Sequence, residues 1–243
     1  MTRFMKTIIV SAAVLTITAI GIDLYTWAQV ASGSDADLTY WIKWSGYLRF
    51  ARTGLFSLIF IAYLQSAAFT KDHILMQCAM VAATIADYYL ILENKLITGI
   101  GIFAMMQLVL LYRHLQGFGW QLFHERKYVY LTAGLFVFAI AVLFFLYAPL
   151  QEKHLFWPVA AYGFLLILSV LAAAYSFALK RLSEQQSALA LAGMICFLLC
   201  DITVGLGAIW QNQPSGYLVR ALTGLVYTPA LILLSLSAIG KNR

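Results

Sequence analysis

Charged residues are scarce in this sequence: they make up 11% of its 243 residues, whereas 63% of the residues are hydrophobic. Soluble domains carry about 25% charged residues, so the composition excludes a soluble enzyme and a disordered chain. Long apolar runs such as residues 133–150 suit helical membrane spans, which need about 20 apolar residues each. They differ from the short alternating segments of a membrane β-barrel. We therefore predict an all-α, polytopic membrane protein.

Cysteine, histidine and intramembrane lysine are also rare. Their rarity argues against disulfide bonds, a zinc site and a retinal Schiff base. The three cysteines, Cys78, Cys196 and Cys200, fall in apolar runs and indicate no disulfide framework. No lysine lies in the interior of a predicted span, where a retinal Schiff base would need one. The four histidines show none of the spacings of a zinc hydrolase. We expect neither a metal nor another cofactor.

The apolar runs predict a bundle of about eight transmembrane helices in a single domain, residues 1–243. The first run follows Arg3 and Lys6 and resembles a signal peptide, but its apolar stretch is longer than a signal peptide requires. We therefore interpret it as a retained span. The predicted spans are residues 7–30, 49–69, 73–92, 95–114, 128–149, 157–179, 187–209 and 217–239.

The distribution of Lys and Arg predicts that both termini are cytoplasmic. The net charge is +6, but the cations are scattered over loops, which argues against nucleic acid as a partner and favours positive-inside topology and anionic lipids. We expect a multi-pass protein of a bacterial inner membrane. With an inner N-terminus, six cations lie outside, namely Lys43, Arg49, Arg52, Lys95, Lys153 and Arg220. The other ten lie inside: Arg3, Lys6, Lys71, Arg113, Arg126, Lys127, Lys180, Arg181, Lys241 and Arg243.

Three carboxylates lie inside predicted spans, where each costs a few kcal/mol and needs a reason. Asp23, Asp87 and Asp201 lie 16, 14 and 14 residues past the starts of the first, third and seventh spans. These spans run in the same direction, so the carboxylates lie at a similar depth in the outer half of the membrane. We expect Asp87 and Asp201 to face one internal cavity, within about 12 Å of each other. Asp23 fits this site and a structural ion pair with a neighbouring arginine equally well.

Two arginines complete the polar pattern. Arg52 and Arg220 lie near the starts of the second and eighth spans and enter the membrane from the same outer side as the carboxylates. Guanidinium groups bind phosphate in a bidentate manner. This pattern suits a lipid whose phosphate stays near the membrane surface while its ester or ether bond reaches deeper.

Two aspartate-containing stretches carry a family resemblance. Residues 85–90 read Ile-Ala-Asp-Tyr-Tyr-Leu, and residues 193–201 read Gly-Met-Ile-Cys-Phe-Leu-Leu-Cys-Asp. Together they resemble the YhhN-like lysoplasmalogenase family of eight-span membrane proteins. Further similar positions are Gly99, Phe103, Tyr112 and the stretch Tyr227-Thr228-Pro229-Ala230. The chain departs from the family at Ala86, Cys200 and Gln107, where members have Gly, Ser and His.

The resemblance implies hydrolysis of the vinyl ether bond of lysoplasmalogens, with Asp87 and Asp201 as the catalytic acid–base pair. The substrate would be a lysophospholipid, and the protein would act within the lipid bilayer. Candidate substrate-binding residues are Asp23, Arg52, Gln107, Arg220, Tyr88 and Tyr227.

The chemistry agrees with two buried aspartates. Protonation of the β-carbon of the vinyl ether gives an oxocarbenium ion, which water attacks, so one carboxylic acid and one carboxylate are needed. Two other functions fit the same residues. A proton- or cation-coupled transporter would bind its ion at the aspartates, and a non-catalytic lipid-binding relative would fit the departures at Gln107 and Cys200.

Overall fold

The described part of the chain forms eight long helices and no strand. The computed structural model describes residues 3–33, 37–61, 70–116, 126–152, 154–179, 183–210 and 213–239. The predicted all-α, polytopic fold is confirmed. The helices are α1 (Arg3–Ala31), α2 (Thr39–Ile61), α3 (Lys71–Asp87) with a π-helical turn (Tyr88–Leu92), α4 (Leu96–Leu115), α5 (Arg126–Glu152), α6 (Phe156–Ala178), α7 (Glu184–Ile209) and α8 (Pro214–Ile239).

The largest departure from the predicted spans is the start of α2. The helix begins at Thr39 rather than at residue 49, and the Asp37 Oδ1 accepts a hydrogen bond from the Thr39 N–H at 3.0 Å. The sequence prediction followed apolar residues alone and missed this polar start. Aromatic residues predicted to precede the second span therefore lie on the first turns of α2: Tyr40, Trp41, Trp44 and Tyr47.

Some predicted features lie outside the described residues. They include the end of the second predicted span, residues 62–69, and most of the longest inner loop, residues 117–125. The same holds for five of the cations used to predict the topology: Lys153, Lys180, Arg181, Lys241 and Arg243.

Seven of the eight helices are long and apolar enough to cross a membrane. The exception is α2, because Lys43, Arg49 and Arg52 lower the hydropathy of its described part. The protein is thus an integral multi-pass membrane protein. The orientation of its termini stays a prediction.

Seven helices form a closed ring, and the eighth lies outside it. Around the ring the packed neighbours are α1, α2, α3, α4, α6, α7 and α8, and α8 returns to α1. α8 also contacts α2 and α3 across the ring, which makes it the most enclosed helix. By contrast, α5 packs mainly against α6 and touches α7 only slightly. A space between α5 and the ring results.

A change of helical geometry follows directly after Asp87. The next five residues, Tyr88–Leu92, form a π-helical turn, a feature that often marks functional sites. α4 packs tightly on this turn at Gly99, where a Cβ would collide with the Leu90 side chain and lie 3.3 Å from the Ala86 carbonyl oxygen. Glycine is needed there for the close approach of the two backbones, and that approach holds the Asp87 segment in place.

Candidate functional site

Asp87 lies in a polar cluster inside the helix ring. Its side chain is 4% exposed, and its Oδ2 accepts a hydrogen bond from the Thr53 hydroxyl at 2.6 Å. The neighbouring residue on α2, Arg52, interacts with it electrostatically, as does Arg49 one turn earlier. The α2 helix thus supplies both the hydrogen-bond donor and the positive charge that a buried carboxylate requires.

Arg52 is buried without a direct ion pair. It is 2% exposed, its Nη1 donates a hydrogen bond to the Thr228 hydroxyl at 3.3 Å, and its Cζ lies 4.7 Å from the centre of the Tyr227 ring. No carboxylate oxygen of the described residues lies within ion-pair distance of it. A buried guanidinium held in this way can bind an anionic group of a ligand.

Asp23 has its carboxylate fully engaged within the protein. The Asp23 Oδ2 pairs with Arg49, and the Oδ1 accepts a hydrogen bond from the Ser45 hydroxyl at 2.8 Å. Arg49 also donates a hydrogen bond to the backbone carbonyl of Arg220 at 2.7 Å. This arrangement links the C-terminal part of α1 with α2 and the N-terminal part of α8. It favours the structural interpretation of Asp23 over direct contact with a substrate.

Asp201 lies in quite different surroundings. Its Oδ2 accepts a hydrogen bond from the Tyr162 hydroxyl at 2.5 Å, and its side chain borders an apolar cavity of about 100 Å³ between α5, α6 and α7. Asp87 does not line this cavity, yet the two carboxyl groups interact electrostatically. The two carboxyl groups thus lie at the boundary between a polar region, which contains Asp87, and an apolar region, which contains Asp201.

Four aromatic rings lie between the two regions. The ring of Tyr162 is 6.4 Å from that of Phe103, Phe103 is 5.9 Å from Phe197, and Phe197 is 5.7 Å from Tyr227. The first ring binds Asp201 and the last lies under Arg52. These contacts fix the positions of α4, α6, α7 and α8 around the carboxyl pair.

Gln107 lies next to this aromatic row. It is fully buried on α4, and neither its side-chain oxygen nor its nitrogen has a hydrogen-bond partner. Its side chain interacts with that of Tyr162. An unsatisfied buried amide is costly, so this side chain is suited to a water molecule or a ligand atom near Asp201.

The other predicted site residues lie at different distances from the pair. Tyr227 is buried between Arg52 and Phe197 and is part of the cluster. The Arg220 guanidinium lies over the Tyr217 ring, 5.2 Å from its centre, and interacts electrostatically with Arg49. Tyr88 lies apart: it is 39% exposed and donates a hydrogen bond to Glu93 at 3.0 Å.

Two residues that contact the carboxyl groups directly were not among the predicted ones. Thr53 directly follows Arg52 in the sequence, and Tyr162 is a polar residue within the apolar run of α6. The intramembrane position of Tyr162 was the available signal, because a buried tyrosine hydroxyl needs a partner. In the described ranges no group of three His, Cys, Asp or Glu side chains is placed to hold a metal ion.

Comparison with known proteins identifies one family. The model described as the YhhN family matches residues 48–238, a range that includes Asp87, Asp201 and Arg52 but not α1. No curated protein and no solved structure matches the chain.

Proposed function

The chain belongs to the YhhN family, and we propose that it is a membrane-embedded hydrolase that cleaves the vinyl ether bond of lysoplasmalogen-type lysophospholipids. The observation that carries the proposal is the pair of intramembrane carboxyl groups, Asp87 on α3 and Asp201 on α7. Each accepts a hydrogen bond from a hydroxyl group on another helix, and the two interact electrostatically. Intramembrane carboxyl groups are costly, and where they occur they generally serve a function.

The reaction needs two carboxyl groups in different protonation states. One carboxylic acid transfers its proton to the β-carbon of the vinyl ether, which leaves an oxocarbenium ion. The other, as a carboxylate, stabilises this cation and accepts a proton from the water that attacks the α-carbon. The resulting hemiacetal gives its hydroxyl proton to the pair and breaks its bond to the glycerol oxygen, which takes up a proton from the pair. The products are an aldehyde and a glycerophosphodiester. Asp87 and Asp201 would exchange the protons, with no net change in the pair.

The surroundings of Asp87 suit the polar end of such a substrate. Arg52 supplies a buried positive charge, and the guanidiniums of Arg49 and Arg220 lie close enough to interact with each other. A lysophospholipid phosphate that enters from the outer side would meet these cations before its vinyl ether reaches the carboxyl pair.

The direct test is an assay for free aldehyde with purified protein and a lysoplasmalogen. Aldehyde release is expected with the vinyl ether substrate and none with the matching saturated 1-O-alkyl lysophospholipid, because that compound has no double bond to protonate. Absence of aldehyde, together with pH-gradient-driven uptake of a solute into proteoliposomes, would contradict the hydrolase and support a transporter.

Substitution of Arg52 should weaken substrate binding more than it slows the chemical step. We expect Arg52→Ala to raise KM about 10- to 100-fold, the effect of losing a hydrogen-bonded charge, with a smaller change in kcat, because a phosphate contact stabilises ground state and transition state alike. Steady-state kinetics of aldehyde release measures both constants. Lys43→Ala is the control, since Lys43 is an exposed cation on the same helix. A fall in kcat at unchanged KM would contradict the phosphate contact.

A further inference from the structure

The space between α5 and the helix ring forms a groove that reaches the lipid-facing surface. It is lined by side chains of α5, α6 and α7, and Asp201 is one of its lining residues. Phe138 of α5 also lines it and is 44% exposed, so the groove extends to the surface of the helix bundle. Since α5 packs weakly against α7, the groove opens sideways between these helices. A molecule dissolved in the bilayer could therefore reach Asp201 without passing through water.

The lining of the groove selects for an apolar occupant. Among the residues that the structure describes, only Asp201 and Tyr162 line it with polar side-chain groups, and they are hydrogen-bonded to each other. Every other lining residue is aliphatic, Phe or Gly. A polar group in this groove would lose its hydrogen bonds to water with little to replace them, whereas a hydrocarbon chain would not.

The polar and apolar surroundings belong to different members of the carboxyl pair. Arg52 and Thr53 accompany Asp87, while the groove accompanies Asp201. A single-chain phospholipid has the same polarity along its length: a phosphate, then the glycerol ether, then a hydrocarbon chain. Only one orientation of such a molecule matches the site.

We propose that the groove lined by α5, α6 and α7 binds the hydrocarbon chain of the lysophospholipid next to its vinyl ether. This inference rests on the proposed function and adds the orientation of the substrate. The β-carbon of a vinyl ether is the first carbon that continues into the chain, so it lies on the groove side of the bond. Asp201 is then the carboxyl group nearest to it and the one that delivers the proton, while Asp87 stays with the glycerol and phosphate.

Gly163 gives a way to fill the groove without disturbing the fold. It lines the groove on α6, next to Tyr162, and a Cβ placed on it meets no atom within 4 Å. A larger side chain there would occupy the space assigned to the chain. Gly134 on α5 is a matched control, because its Cβ would also meet nothing within 4 Å but the residue is exposed outside the groove.

The first test compares a long-chain lysoplasmalogen with a short vinyl ether that has the same head but only an ethenyl group in place of the chain. For Gly163→Leu we expect kcat/KM to fall about 10- to 200-fold on the long-chain substrate, the range found for steric misfit in an apolar pocket, and to change little on the short one. Gly134→Leu should leave both values as in the wild type. Equal effects of Gly163→Leu on both substrates, or no effect, would overturn the inference while the hydrolase function stands.

The second test does not depend on catalysis. A saturated 1-O-alkyl lysophosphocholine with a diazirine on one of the first carbons of its chain is bound to the full-length protein, irradiated and mapped by peptide mass spectrometry. We expect label on side chains that line the groove, such as Val142, Leu166 and Leu198, and loss of that label in Gly163→Leu but not in Gly134→Leu. Label spread over the lipid-facing side of α5, at Phe144 and Phe145, would overturn the groove. Label in the groove of a protein that releases no aldehyde would contradict the proposed function alone.

Discussion

Asp87→Asn and Asp201→Asn should each abolish aldehyde release while the protein stays folded. Asparagine keeps the shape of aspartate but neither delivers nor accepts the proton. A single general acid or base contributes about 10² to 10⁴ in rate, and two groups that act as a unit lose nearly everything at the first substitution. The double variant should therefore be no slower than either single variant. Aldehyde release per mole of purified protein, with thermal unfolding as the check on folding, measures this.

The control for the aspartate variants is Asp37→Asn. Asp37 is exposed, and its side chain accepts a hydrogen bond from the Thr39 N–H, which asparagine can also do. We expect wild-type activity from this variant. Full activity of either Asp87→Asn or Asp201→Asn would make the acid–base mechanism untenable and would favour a transporter or a non-catalytic lipid-binding protein.

The second large effect is expected in stability, at the buried pair of Asp23 and Arg49. Their side chains are 2% and 12% exposed, and Asp23→Asn would leave the Arg49 charge buried without its carboxylate. Loss of one partner of a buried ion pair costs about 3 to 5 kcal/mol. The double variant Asp23→Asn/Arg49→Gln removes both charges and should recover most of this loss. Thermal or denaturant unfolding in detergent measures the difference between the single and double variants.

An exposed ion pair serves as the reference for that experiment. Glu93 and Lys95 form an ion pair of 3.1 Å with side chains 36% and 58% exposed, and solvent screens such a pair. Glu93→Gln should change the unfolding midpoint little. If Asp23→Asn also has little effect, or if the double variant is as unstable as the single one, the Asp23–Arg49 pair is not the structural link between α1, α2 and α8.

The sequence indicated the site residues that are energetically unfavourable inside a membrane. Asp87 and Asp201 were found because a carboxylate in an apolar run is expensive, and the family match to residues 48–238 confirms the resemblance drawn from their surroundings. The same argument was less informative for Asp23. Its environment is set by Arg49 and Ser45 on another helix, and no property of the first span alone reveals which arginine pairs with it.

Helix boundaries show a related difference. All eight helices were predicted from apolar runs, but the early start of α2 at Thr39 follows from a polar and aromatic segment that hydropathy does not mark. The sequence also gave no sign that Tyr88 would be exposed. It depends on the π-helical turn after Asp87, which rotates the following side chains relative to a regular helix.

The sequence by itself determined the helical membrane fold, the family and the identity of the three intramembrane carboxyl groups, Asp23, Asp87 and Asp201. These follow from local composition, because the bilayer penalises every exposed backbone or charged group in the same way wherever it occurs. Only the tertiary structure showed that polar side chains surround Asp87, whereas Asp201 borders an apolar groove. That distinction depends on the packing of α5 outside the ring and of α2 beside α3, and on contacts such as Tyr162 with Asp201 between residues that are far apart in the chain.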